Sequence, residues 1–396
     1  MATKDGRLVR EPDTGERRQA WGTVDGNELR VAHGDAETLV DALSVDHAGS
    51  FNLFYLLRKH YWTAEGAEHD EVADFLETAY SRVREINDDI AVRIVELGGI
   101  PPNTPPTIQE HADVHLEAED LYDLRASLKG DLEGYATLIT SVREHVELAE
   151  RLCDDGTAER LQTHLVALEH DASDLEHLLE DDTLVRADDV EATHERRDSP
   201  SEHSDTSQAD ASHLRRLDPT HVRREWDTTA ENALRLDQTA AGELVTALNT
   251  DLSGLYILFN QVRKHFWTTE GAERGQIGAF LEDAADRLSV VTDDLAIRVH
   301  ALGGVPVCGP MGVRQHASMN IEAAHRYDVR SSLGRDLDGY ATLVEQLREH
   351  VELSHRLGDE ATSALLRVHL KMLEADANTL ERYLADDTLV RRRSVD

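Results

Sequence analysis

The residues able to bind metal or move protons are histidines, acids and two cysteines. Four histidines recur at one spacing: His60 and His265, His111 and His316, His145 and His350, His164 and His369. Imidazole is the commonest metal ligand and the side chain that titrates nearest neutrality, so these pairs are where metal contact would be sought. Duplication fits equally well with partly buried histidines holding satisfied hydrogen bonds, and that is the expectation for all four. Glu352 and His355 stand at the Glu-x-x-His spacing used by carboxylate metal sites in helix bundles. Their counterparts are Glu147 and Glu150, which points instead to exposed helix surface. Cys153 and Cys308 occupy non-equivalent places, opposite Gly358 and Asn103, and imply neither a disulfide frame nor a metal knuckle. His194, His203 and His213 lie in a polar tract and read as solvated residues.

The histidine pairs share an offset of 205 residues, and so does the rest of the chain. RKHYWTAEGAE at 58–68 returns as RKHFWTTEGAE at 263–273, Gly98-Gly99 as Gly303-Gly304, Arg143-Glu144-His145 as Arg348-Glu349-His350, and DDTLV at 181–185 as DDTLV at 386–390. Trp21 pairs with Trp226, so the segment before each repeat is duplicated too. A strict repeat of this length describes a whole domain carried twice.

Within one copy the apolar periodicity is helical throughout. Helix A is expected from about Ala36 to Thr63 and helix B from about Glu68 to Leu97, where Gly98-Gly99 caps it. Helix B carries Val72, Ala79, Val83, Ile86, Ile90 and Ile94 on its apolar seam. A proline-rich crossover, IPPNTPPTIQEHADVH, leads to helix C at about Ala118 to Leu152 and helix D at about Thr157 to Glu180. The crossover is long enough to return the chain to the other end of the bundle and to hold a short helix. Four long helices with one long crossover are the ferritin-like arrangement. The fold class is therefore all-α, two tandem ferritin-like four-helix bundles with a long B–C crossover. The domains read as an arm at 1–35, a bundle at 36–185, a polar linker at 186–218, an arm at 219–240 equivalent to 14–35, a bundle at 241–390, and a tail at 391–396.

Composition limits partners. The net charge is −37, with 78 acidic residues against 41 basic ones, and only Lys4, Lys59, Lys129, Lys264 and Lys371 among the latter are lysines. Such a surface resembles that of proteins from salt-loving archaea, in which molar salt screens self-repulsion. It disfavours nucleic acid, whose affinity comes from cations neutralising phosphates. No apolar run approaches the roughly 18 residues of a membrane span, and the start MATKDGRLVREPDTG lacks a secretory core, so a cytoplasmic protein is expected.

Together, K-H-aromatic-W followed by EGAE, the aliphatic helix B closing in LGG, the Y-D-x-R-x-S-L start of helix C and the terminal DDTLV resemble the Dps proteins, small ferritin-superfamily cages of starved cells, and their haloarchaeal members most of all. The resemblance spans about 38–185 and 243–390. It implies a hollow shell of twelve bundles, supplied here by six chains, in which iron is oxidised at sites shared across two-fold axes. Of the family's five ligand positions, the carboxylates Glu77 and Asp88 are kept, as are Glu282 and Asp293. The other three carry Tyr61, Ala73 and Val92 in the first copy and Phe266, Gly278 and Ile297 in the second. His60 and His265 stand one residue from the expected histidine, but one residue turns a helical side chain by about 100°. Positions 73, 77, 88 and 92 share one stripe of helix B, and the apolar replacements there are expected to pack, preserving an interface without its metal.

The implied function is an iron-handling, oxidative-stress protein with ferroxidase ligands largely lost and iron a possible substrate. As an enzyme the chain reads more as no than yes. Co-assembly with an active relative would supply the missing chemistry. A non-catalytic shell or scaffold is the alternative, and DNA compaction ranks third.

Overall fold

The computed structural model describes residues 9–12, 14–66, 68–179 and 214–385. His194, His203, His213, both DDTLV segments, the 391–396 tail and most of the expected linker lie outside the described residues.

The first copy contains α1 (His33–Thr63), α2 (His69–Glu96), a short α3 (Pro105–His111), α4 (Leu124–Arg151) and α5 (Asp155–Leu179). The second repeats them as α6 (Gln238–Thr268), α7 (Arg274–Ala301), α8 (Pro310–His316), α9 (Val329–Arg356) and α10 (Glu360–Leu384). In each copy the first long helix packs on the second and the third, and the third packs on the fourth. Among the described residues no helix is long and apolar enough to cross a membrane.

Two local features set the helix ends that matter. Gly98 ends α2 at φ +91°, where a Cβ would lie 2.2 Å from the carbonyl oxygen of Asp25, and Gly303 meets Ala230 in the same way at 2.3 Å. Glycine is required there both by backbone conformation and by this close approach. Helix C begins later than its periodicity predicts. Asp123 caps it, its carboxylate accepting from the Ala126 amide at 2.9 Å, and Leu121, expected in the helix, belongs to a strand instead. An Asp cap satisfies an amide that the helix leaves orphaned, so the chain stays extended before residue 124.

That extension serves the pairing of the copies. The crossovers carry β3 (Leu116–Glu117) and β4 (Leu121–Tyr122) in the first copy, β7 (Ile321–Glu322) and β8 (Arg326–Tyr327) in the second. The first arm carries β1 (Val9–Arg10) and β2 (Arg17–Gln19); ahead of the second bundle stand β5 (Leu214–Arg215), at the end of the expected linker and so an extension of the second arm, and β6 (Val222–Arg224). Each arm pairs with the crossover of the other copy: β1 with β7, β2 with β8, β3 with β5, β4 with β6. The exchange is reciprocal, with one parallel and one antiparallel pair on each side.

The copies therefore associate within one chain, and their buried apolar residues form a single cluster. At its centre lie residues related by the 205-residue offset. Phe54 stacks on Phe259 with ring centroids 6.1 Å apart, and Tyr55 donates to Asn260 Oδ1 at 3.1 Å.

Candidate functional site

Two composite sites flank this pseudo-two-fold centre, and each draws its residues from both copies. The last turns of α1 present Arg58, Tyr61 and Trp62 towards α7. Arg58 Nε donates to Asp293 Oδ1 at 2.8 Å, and Trp62 Nε1 donates to the same oxygen at 2.7 Å. Tyr80 donates to Asp293 Oδ2 at 3.1 Å. Arg58 Nη2 is held by the Ser289 carbonyl at 2.7 Å and the Ser289 hydroxyl at 3.0 Å. The mirror site joins Arg263 Nη2 to Asp88 Oδ1 at 2.7 Å and Trp267 Nε1 to that oxygen at 2.8 Å. Arg263 Nη2 also reaches Asn87 Oδ1 at 2.7 Å. Here Ala285 stands where the first site has Tyr80, so the second carboxylate lacks the phenol.

Both guanidinium groups are buried, at 1% and 2% exposure. A buried cation is costly unless a carboxylate meets it with good geometry and its remaining protons are bonded. Each arginine here meets its carboxylate, while Nη1 of Arg263 is buried without a hydrogen-bond partner. Burial works against the charge of Arg58, but the Asp293 carboxylate holds its pKa above the ordinary value. Burial together with Asp293 pushes the Tyr80 phenol well up, so it stays a neutral donor.

The other inherited positions are dispersed. Glu77 and Glu282 are exposed. Tyr61 lies in the electrostatic reach of Glu77 and Asp293, and burial followed by these acids raises its pKa. Tyr61 and Phe266 pack against the core, as expected for aromatic replacements. Val92 is half-buried and Ile297 is 42% exposed, so the expected packing gain fails at that position, where the helix turns its side chain towards the surface. Ala73 and Gly278 are half-buried, and a Cβ on Gly278 would meet nothing within 4 Å.

Iron does not fit this arrangement. A transition metal needs several oxygen and nitrogen ligands converging in a defined geometry. Among the described residues no group of three or more His, Cys, Asp or Glu side chains is placed to hold a metal ion. The retained aspartates already face a guanidinium and an indole N–H.

The duplicated histidines are engaged in the fold. His60 is 2% exposed, with Nδ1 2.7 Å from Asp131 and Nε2 3.2 Å from Glu117. Lys59 donates to the same Glu117 oxygen at 2.7 Å. Burial disfavours the imidazolium, yet Asp131 and Glu117 hold His60 up at about 9. Burial likewise opposes ionised Glu117, and His60 with Lys59 overrides it, bringing the pKa to about 2. The second copy repeats the cluster with Lys264, His265, Glu322 and Asp336. His145 and His350 lie 2.9 Å from buried Asp46 and Asp251. His164 and His369 lie 3.0 and 3.1 Å from Asp89 and Asp294. His111 and His316 sit edge-on to Trp21 and Trp226. His355 is exposed and bonds Glu360 at 2.6 Å.

Sequence reasoning overlooked Arg58, Arg263, Lys59 and Lys264 as members of any site. Their signal was present, since all four fall in the repeated RKH-aromatic-W stretch, and lysine is otherwise rare in the chain.

Two four-helix bundles with long crossovers and carboxylates facing a shared two-fold interface define a ferritin-like protein, and a ferritin-like domain model matches residues 40–185 and 245–390. The chain is 45% identical over 164 residues to the "DNA protection during starvation protein" of Halobacterium salinarum, spanning 41% of this chain and 90% of that protein. It is 31% identical over 158 residues to the "Nutrient stress-induced DNA-binding protein" of a Synechococcus species, spanning 40% and 90%. The crystal structure of an archaeal Dps homologue from Halobacterium salinarum matches at 43% identity and a TM-score of 0.43, over 44% of this chain and 97% of that one. This chain belongs to the Dps family of ferritin-like proteins, with two copies of the family domain in tandem.

Proposed function

We propose that the chain is a Dps-type shell component acting in iron handling and protection against oxidative stress, with iron as substrate or cargo and the inherited ferroxidase sites largely lost in both copies. The observation that carries this reading is the reciprocal pairing of the copies. One chain already contains a complete two-fold unit, with both composite sites and both exchanged arms, so six such chains supply the twelve bundles of a shell. The name of the Halobacterium relative, a protein of starvation, supports the stress role. The charge of −37 supports a cytoplasmic protein suited to high salt and argues against direct DNA compaction.

A non-catalytic scaffold is the second reading, favoured by the arginines that already neutralise Asp88 and Asp293. In that case a co-assembling relative supplies oxidation. An iron-oxidation time course tests the loss of the sites that both readings share, and fast uptake would sink the scaffold reading. Slow uptake, unchanged in Glu77→Gln and Asp88→Asn variants, is the expected outcome. Uptake at ferroxidase speed that these substitutions abolish would contradict the loss of the sites.

A further inference from the structure

We propose that Arg58 and Arg263 are the built-in cations of the two composite sites, and that with Phe54 and Phe259 they form one metal-independent clasp between the copies. This deepens the reading above, on which it rests for the inherited role of Asp88 and Asp293. Its test reads the sites themselves rather than iron oxidation or assembly.

The geometry is continuous from one aspartate to the other. Arg58 lies over the rings of both Phe54 and Phe259, at 5.4 and 5.6 Å from the centroids. Arg263 lies over the same two rings, at 5.9 and 5.2 Å. Each arginine also lies over its own tryptophan, Arg58 at 5.3 Å from Trp62 and Arg263 at 5.0 Å from Trp267. A guanidinium is planar and weakly hydrated, so it can stack on aromatic faces and bond a carboxylate at the same time. The order across the axis is therefore Asp293, Arg58, the stacked phenylalanines, Arg263, Asp88.

The ion pairs, the stacking of Phe54 on Phe259 and the reach of each arginine over the opposite phenylalanine cross from copy to copy. Arg58 belongs to the first copy and its aspartate to the second, and the reverse holds for Arg263 and Asp88. The positive charge that a shared metal would bring to each carboxylate is supplied by a side chain of the opposite half. A divalent ion entering at Asp88 or Asp293 would meet a guanidinium already in contact with that carboxylate. Displacing the guanidinium would leave a buried, unpaired arginine among aromatic rings, the costly outcome of breaking a buried pair. The sites are therefore closed to metal by their own cations, and copy-to-copy fastening needs none.

Trp62 and Trp267 donate to the same carboxylates, which provides an optical readout. Co(II), which is not oxidised under these conditions and quenches indole fluorescence on binding nearby, is titrated into the full chain. The ceiling is about 1 mM, which half-fills a site of about millimolar dissociation constant and nearly fills tighter ones. The expected result is no saturable quenching in the wild-type chain beyond that of an Asp88→Asn, Asp293→Asn variant, and an unfolding midpoint that neither Co(II) nor a chelator moves. An Arg58→Gln, Arg263→Gln variant should gain saturable quenching. Saturable quenching in the wild type that the aspartate variant loses would overturn the proposal. A folded arginine variant that gains none would overturn it as well. If that variant does not fold, the wild-type and aspartate titrations decide alone.

Discussion

Asp293 receives three donors from the first copy, whereas Asp88 receives an arginine and an indole, and this difference makes the two clasps unequal. Removing the charge of either aspartate leaves a buried guanidinium without its counter-ion, a loss of about 3–5 kcal/mol in comparable buried pairs. Asp88 is the more exposed of the two, with 27% of its side chain accessible against 16% for Asp293, and each arginine keeps a further partner, Ser289 for Arg58 and Asn87 for Arg263. Asp293→Asn should therefore destabilise more than Asp88→Asn in urea unfolding, and equal losses would contradict the asymmetry. The buried histidines make a separate prediction. His60 and His265 are held at about 9 in the fold, above the ordinary 6.5. Their contribution to stability is fully present below pH 6.5 and is lost as pH rises through 9. The melting temperature should fall between pH 7 and 10, and His60→Gln with His265→Gln should flatten that fall. A wild-type profile already flat across this range would contradict the assignment. At the acid end, Glu117 contributes above about pH 4.5 and its contribution is lost as pH falls towards 2.

Among the elements, the long helices were legible because their apolar spacing repeats every three to four residues over some seven turns, and the glycine pairs mark their ends. The eight strands among the described residues were not. Each is two or three residues long, too short for any alternation to show, and each pairs with a segment about 310 or about 100 residues away. The one-residue argument that turned His60 from the Tyr61 face holds in the structure, since its ring points to Asp131 and Glu117 on the inner side. The aliphatic replacement at Ile297 was misread because periodicity gives the stripe on which a residue lies but not where a neighbouring helix ceases to cover it. The exchanged arms predict a one-sided response. Deleting residues 1–19 removes the partners of β7 and β8 and leaves β3 and β4 paired with β5 and β6. Amide hydrogen exchange should quicken at 321–327 while 116–122 stays protected. Equal change in both crossovers, or in neither, would show that the arms do not fasten the copies in this pattern.

For the whole molecule, duplication has joined in one chain the two halves that a two-fold unit requires. The joined copies share a core, exchange arms and close two composite sites with their own arginines, so the unit is complete without metal or a second chain. Its acidic surface has few lysines, and the few that are buried, Lys59 and Lys264, are bound to Glu117 and Glu322. The positive charges that do lie inside are thus committed to holding the fold. The repeat in the sequence revealed that there are two domains, yet it could not reveal that they pair with each other, because a linker of this length is compatible with either pairing. The mass of the intact assembly tests the account most directly. Native mass spectrometry at the ionic strength that keeps the chain folded should find a particle of six chains of 44.2 kDa, each contributing one self-paired unit. A stable monomer, or a particle of twelve chains, would contradict it.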